Sequence, residues 1–331
     1  TVGLGFMFLN FKEQTKNVLL FFQMKKLDWK TNKIQQFVGI TEIKNDILTY
    51  KKKKIAILKV EPINFTIKPK DEQEIITLGF KKFLNALDFP LQIMMDTLPL
   101  DLHDYFKTLE PKTAATEKEA FEAYKAFLLK TITTGKIMNR HFYVIIKEQH
   151  NLDIQIDICT KRLEQLYVKV KRLNTEELYA LLAGFYETKN KGTSLDKIWP
   201  DTVDNNVRYV KINNTFHRTI VAKDYPRLVE AGFLDRIVTA EGDFDFTLHI
   251  EPYPVETMMI NLNRELQKQR ADLYAAGLKQ AINPSLEIQH DDTRKILEAL
   301  QKGQEKLFNI SLYINCRARS LKELDLLTKR I

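Results

Sequence analysis

The arrangement most diagnostic of nucleotide chemistry is a glycine-rich loop closing in Gly-Lys-Ser or Gly-Lys-Thr, whose backbone N–H groups and lysine hold phosphates. The nearest stretch here, Thr133-Thr134-Gly135-Lys136-Ile137, lacks the leading glycine and the closing hydroxyl residue, and it reads as a helix end. Histidines occur at 103, 141, 150, 217, 249 and 290 without an HExxH motif or an i, i+4 pair. A catalytic zinc, which takes three protein ligands around an open position, is therefore not expected. Asp243 with Asp245, and Asp291 with Asp292, bring carboxylates close along the chain. Acid–base work instead needs groups that face each other across a pocket. The Asp291-Asp292 pair reads as the acidic start of a helix, where it complements the helix dipole. Cys159 and Cys316 have neither a CxxC motif nor a histidine at ligand spacing, which argues against a disulfide scaffold or structural zinc and suits a reducing compartment. No G-x-S-x-G elbow is present, so no motif supports catalysis within this chain.

Charge is the second source of chemistry. The 331 residues carry a formal net charge of +8, which makes anionic lipid, nucleic acid or acidic protein faces plausible partners. Lys51, Lys52, Lys53 and Lys54 form one basic run, and Lys161-Arg162 with Lys169, Lys171 and Arg172 form another. Both could bind phosphates in a salt-sensitive, sequence-indifferent way, and both also read as a solvated turn and a solvated helix face. No aromatic-interleaved RNA-binding motif accompanies them. Near the start, the apolar run Val2 to Phe11 stops at Lys12, short of the roughly 18 residues a spanning helix needs. A second run, Asn17 to Met24, ends in Lys25-Lys26. Together they read either as a membrane-proximal hairpin with a basic flank or as the first strand and helix of an ordinary domain.

The elements that must position these residues follow from periodicity. Ile47 to Tyr50 and Ile55 to Val60 flank the lysine run as a hairpin. After Pro69, Asp71 with Glu74 three residues on opens an amphipathic helix carrying Ile75, Ile76, Leu78, Phe80, Phe83, Leu84 and Leu87. A strand at Leu91 to Met95, helices at Leu102 to Leu109 and Glu117 to Thr133, and a strand at His141 to Ile146 complete a sheet covered on one face by helices. Ile154 to Leu173 and Thr175 to Tyr186 read as an appended helical pair, the second capped by Asn174 with Glu177. The polar stretch 188–206 reads as a linker that Trp199 could pin to one side. Beyond it come a hairpin around Asn213-Asn214-Thr215 and two alternating strands, Phe244 to Ile250 and Phe308 to Cys316. Helices at Val255 to Ala275 and Asp291 to Lys302 lie between those strands, and Ser320 with Glu323 opens a last helix that reaches Ile331 without a stop signal.

With the elements placed, several phrases resemble a known family. Ile43-Lys44-Asn45-Asp46-Ile47, Ile63-Asn64-Phe65 and Phe83 to Ile93 are similar to the TraC-like amino-terminal domain of conjugation ATPases. Arg218-Thr219-Ile220, Tyr225-Pro226-Arg227, Gly232-Phe233-Leu234, Asp245 to Ile250 and Gly303 to Tyr313 resemble the segment before the motor domain in VirB-type and TrbE-type secretion ATPases. Gly3 to Trp29 is similar to the tail of PrgI-type small membrane proteins. The resemblance implies a hexameric, membrane-associated motor of the HerA–FtsK type that powers DNA or protein transfer. In such a motor ATP and Mg are held by a later domain, so no cofactor is expected in this chain.

The expectation is an α+β protein of two domains, each a mixed or antiparallel sheet covered by helices. It places a membrane-proximal segment at 1–36, a TraC-like domain at 37–187, a linker at 188–206 and a second domain, ferredoxin-like or related, at 207–331. The expected role is non-catalytic docking and assembly in a type IV secretion or conjugative transfer ATPase, at the cytoplasmic face of the membrane. Its expected partners are inner-membrane components and, in the full motor, further copies of itself. The candidate contact residues are Lys25 and Lys26, Lys51 to Lys54, and Ser320 and Glu323 on the connecting helix. A basic nucleic-acid-binding module, a motor-less paralogue and an enzyme with an unrecognised site remain alternatives.

Overall fold

The computed structural model describes residues 39–331 apart from 101, 113–116, 136–137, 187, 189–193, 227–228, 230–231 and 279–283. The membrane-proximal segment, with Lys25 and Lys26, lies outside the described residues. In the first half the chain forms β1 (Ile40–Lys44), β2 (Ile47–Tyr50), β3 (Lys53–Val60), α1 (Lys70–Ala86), β4 (Leu91–Pro99), α2 (His103–Leu109), α3 (Lys118–Gly135), β5 (Met138–Lys147), α4 (Leu152–Glu164), β6 (Val170–Arg172) and α5 (Thr175–Phe185). In the second it forms β7 (Val203–Asn205), β8 (Val210–Ile212), β9 (Thr215–Val221), α6 (Asp235–Val238), β10 (Phe244–Pro252), α7 (Val255–Leu278), α8 (Pro284–Gln301), β11 (Phe308–Ala318) and α9 (Leu321–Arg330). The fold is α+β.

All strands join one antiparallel sheet in the order β1-β2-β3-β5-β4-β10-β11-β9-β8-β7, with β6 alongside β2 on the outer edge of β3. The sheets expected separately in the two halves are therefore hydrogen-bonded into one, through β4 and β10 with Met95 opposite Phe246 and Leu91 opposite Ile250. The order is palindromic about that pairing. Each half contributes a pair of hairpins made of three strands, then a helix, a strand, a helical pair, a strand and a helix, so α2–α3 and α7–α8 occupy corresponding places between neighbouring strands. In the first half β3-α1-β4-β5-α4-β6 places its strands in the order β6-β3-β5-β4, which is the split β-α-β arrangement of ferredoxin-like folds. The ferredoxin-like order anticipated for the second half is thus complete in the first. In the second half β9, β11 and β10 repeat three of its strands, and no counterpart of β6 is present among the described residues.

Side-chain alternation assigns the two faces. On one face Ala56, Leu58, Leu91, Val144 and Ile146 pack against Phe83 and Leu84 from α1, Leu87 at its end, and Leu152, Cys159 and Leu163 from α4. The same face continues through Met95, Phe244, Phe246, Leu312, Ile314 and Cys316 under Leu324 and Leu327 of α9. On the other face Ile57, Met94 and Tyr143 meet Leu178, Leu181 and Leu182 of α5, together with Ile198 and Trp199. Helices therefore cover both faces of the first half rather than one. The reason is β6: Val170, Lys171 and Arg172 pair with Val60, Lys59 and Leu58. Where a continuous helix was expected the chain instead crosses the sheet edge, and α4 and α5 are left on opposite faces.

Local signals explain the other boundaries. The Asn174 side chain accepts from the Glu177 N–H at 2.9 Å while Glu177 accepts from the Asn174 N–H at 3.0 Å, a complete capping box at the start of α5. The expected box at Asp71 does not form, because α1 begins at Lys70 after Pro69 and Asp71 lies within the first turn, where it complements the dipole. Pro284, suited to the first helical position, starts α8 well before Asp291-Asp292, so that pair sits in mid-helix and not at a start. The stretch read as a linker contains β7, and Trp199 packs on Tyr186 at 5.8 Å between ring centres. Asn213, in the β8–β9 turn, donates to the Tyr186 carbonyl at 2.9 Å and so ties this connection to both halves.

Candidate functional site

The lysine run divides between a turn and a strand. Lys51 and Lys52 are the two central residues of the β2–β3 hairpin, at φ 45° and 68°, and Lys53 and Lys54 open β3. A two-residue turn with both φ values positive matches the twist of its strands but favours Asn and Gly over residues with long side chains. Asn45 and Asp46, in the adjacent β1–β2 turn, have φ 53° and 60° and suit that geometry. All four lysines are exposed. Lys51 Nζ lies 5.2 Å from the centre of the Tyr50 ring, and Lys54 Nζ is 3.5 Å from Glu148. Lys147, exposed at the end of β5 opposite Ile55, adds a fifth positive charge to this corner.

The other basic group is internally matched. Lys161 pairs with Asp157 at 2.8 Å, Lys169 with Glu61 at 3.1 Å and Lys171 with Glu177 at 2.5 Å, and Arg172 donates to the Asp46 carbonyl at 3.2 Å. Lys161 and Arg162 lie on α4, Lys171 and Arg172 on β6 and Lys169 just before it, rather than on one helical face, and the charge of the four paired residues is largely answered locally. Of the two basic runs, the lysine corner keeps the larger uncompensated charge.

At the far end of the chain, the Ser320 Oγ accepts from the Glu323 N–H at 3.3 Å and caps α9. Leu324 and Leu327 bury that helix against the sheet, and Arg218 of β9 reaches Asp325 at 2.7 Å. Ser320 and Glu323 therefore set the start and direction of α9, and their polar atoms face one another.

A group that sequence reasoning did not assemble lies at the joint between the halves. Arg317 on β11 is 6% exposed and reaches Asp243 at 2.7 Å, Asp245 at 2.9 Å and Asp96 at 3.2 Å. It also donates to the Thr97 carbonyl at 2.6 Å. Asn315 donates to the second oxygen of Asp245 at 3.2 Å and approaches the His217 ring nitrogen at 3.4 Å. One guanidinium thus faces three carboxylates, one from the first half and two from the second. Burial, with the Asp96 carboxylate beside it, pushes the Asp245 carboxyl up to about 8 even though Arg317 opposes the shift. The neighbouring carboxylates hold the Arg317 guanidinium firmly in its charged form against the cost of burial. Asp243 and Asp245 were legible as neighbours, but Asp96 and Arg317 come from distant strands, and no local pattern joins them. The arrangement is a buried ionic lock across the β4–β10 joint.

Burial also pushes the Cys159 thiol up to about 12 and the Cys316 thiol up to about 11, which keeps both as unreactive thiols near neutral pH. Among the described residues no group of three or more His, Cys, Asp or Glu side chains is placed to hold a metal ion, and no helix is long and apolar enough to cross a membrane. No protein-family model matches this chain, and no curated protein matches it.

Proposed function

We propose that this chain is a docking and assembly region of a type IV secretion or conjugative transfer ATPase, which joins a hexameric motor to inner-membrane components at the cytoplasmic face. One observation carries the reading. The phrases that resemble this family come from both halves of the sequence, and apart from Ile43 to Ile47 at the β1–β2 turn their strand segments fall on four adjacent strands, β4, β10, β11 and β9. Leu91-Gln92-Ile93 lies on β4 opposite Ile250-His249-Leu248 of β10, and Asp245 to Ile250 pairs in turn with Ile310 to Asn315 of β11. A resemblance scattered over the chain is thereby gathered, for all its strand phrases but the one at the β1–β2 turn, into one continuous piece of sheet. The capped, buried and ion-paired α9 suits the task of passing force between that sheet and an attached motor. ATP and Mg belong to the motor in this reading, and the chain contributes contact surfaces rather than chemistry.

The test is interference. Expressed on its own in a donor cell with an active transfer apparatus of its own kind, the chain occupies docking positions without delivering a motor. Transfer frequency falls as expression rises. Unchanged transfer at high expression, or MgATP turnover by the purified chain, overturns the reading.

A further inference from the structure

We propose that the β2–β3 hairpin tip is a binding site for the anionic headgroups of a lipid bilayer, in a chain whose first segment is apolar and lysine-flanked. The inference rests on the membrane placement in the reading above and names the contact that would make it. The β1–β2 and β8–β9 hairpins also turn on two residues, Asn45-Asp46 and Asn213-Asn214, side chains that tolerate the left-handed backbone. The β2–β3 turn is the counterpart of the β8–β9 turn in the palindromic sheet, yet it carries Lys51 and Lys52 at positive φ. A lysine there costs folding stability, and the only return among the described residues is the exposed Lys51 contact with the Tyr50 ring, which Lys52 lacks, so the turn is placed for its charge. Strain held at an exposed tip is a common mark of a functional segment.

The electrostatics of the corner agree. Lys51, Lys52, Lys53, Lys54 and Lys147 are exposed there, against the carboxylates of Glu148 and of Glu42, which lies in the row that runs through Thr49 to Lys54. The first described residue, Gly39, accepts a hydrogen bond from the Lys51 N–H at 2.9 Å. The chain that precedes it therefore joins the fold at this tip. That preceding sequence holds the apolar runs Val2 to Phe11 and Asn17 to Met24 and the pair Lys25-Lys26. A single weak membrane signal gives marginal, reversible binding, whereas an apolar segment and a polybasic patch in the same chain give stable anchoring. This pairing selects a lipid surface over free phosphate or nucleic acid, for which an adjoining apolar segment has no use.

The test is flotation of the full 331-residue chain with phosphatidylcholine vesicles, with and without phosphatidylglycerol. Lys51→Asn/Lys52→Gly restores favoured turn residues while removing two charges, so its thermal midpoint rises and any loss of binding cannot come from misfolding. At about 1 kcal/mol for each lysine near an anionic surface, the double variant lowers the partition onto phosphatidylglycerol vesicles roughly thirty-fold. Lys268→Gln/Lys295→Gln removes the same charge from exposed positions on α7 and α8 and leaves the partition unchanged. Equal losses in the two double variants, or equal binding to neutral vesicles, overturns the proposal. So does duplex DNA binding as tight as vesicle binding with the same dependence on Lys51 and Lys52, because the site then reads phosphate in general. If vesicle binding fails while the chain still suppresses transfer, this inference falls and the docking reading stands; the reverse outcome removes the docking reading alone.

Discussion

At the scale of single residues, the most consequential feature is the excess of carboxylate around Arg317. Asp245 faces Asp96 from β4 and Asn315 and Arg317 from β11, Arg317 also reaches Asp243 just before β10, and His217 of β9 lies behind Asn315. In an unfolded chain an aspartate titrates near 3.9, whereas folding raises Asp245 to about 8. Between those values the folded state holds the extra proton, so the contribution of this group to stability is full at low pH and is lost as pH rises through about 8. Going from about pH 7 to about pH 9 should cost on the order of 1 kcal/mol, measured by urea unfolding, and Asp245→Asn should flatten that slope. A slope that survives in Asp245→Asn assigns the proton to another member of the group. Arg317→Met leaves buried carboxylates without their partner and is expected to cost about 3–5 kcal/mol by the same measurement. None of this was legible locally. Asp245 alternates with Phe244 and Phe246, and a period of two marks it as solvent-facing unless the strand is known to be central with an arginine beside it.

Elements were legible in proportion to how local their causes are. The capping pairs Asn174 with Glu177 and Ser320 with Glu323 fixed the starts of α5 and α9 correctly, because a cap is a contact three residues long. The strand β6 was read as helix, because three residues of the sequence Val-Lys-Arg carry no periodicity of their own and gain strand geometry only from the open edge of β3. The turn before β2 shows how such distant elements are fastened. Asp46, at φ 60°, accepts from the Thr175 N–H at 2.7 Å and from its hydroxyl at 2.9 Å, which joins the β1–β2 turn to the first residue of α5. Asp46→Gly keeps the backbone conformation and removes both bonds. It should cost about 1–3 kcal/mol, with the thermal midpoint as readout. A neutral result would mean that the turn and α5 are held by the bond from the residue 46 N–H to the Thr175 hydroxyl and by apolar packing, without help from the Asp46 carboxylate. Gly242 makes a second such point. At φ 136° its α-carbon passes so near α9 that an added Cβ would lie 2.4 Å from Leu327. Gly242→Ala should therefore destabilise by about 1–3 kcal/mol and should loosen α9 first, seen as faster amide exchange from 321 to 330.

At the scale of the molecule, the halves that composition and spacing separate at 188–206 are neighbours in one sheet. The joint is made of β4 and β10, of Met95 and Phe246 on one face, and of Arg317 with its carboxylates on the other. No stretch of sequence announces strand pairing between segments so far apart, and the palindromic order appears only once the pairs are known. The joint buries an apolar pair, a run of ladder hydrogen bonds and a charge group that is costly to split. Opening one half would therefore expose the central strand of the other, and the whole sheet should unfold as a unit. Phe246→Ala tests this where the halves meet. It should cost about 3–5 kcal/mol. Amide protection should fall together in β3 and β5 of the first half and in β9 and β11 of the second, with a single midpoint in denaturant. Loss of protection confined to β9 and β11, or two midpoints, would show the halves to be independent bodies that share an edge. The proposed docking role needs the first outcome, since a joint that yields under load would disconnect α9 from the lysine corner on the other side of the sheet order.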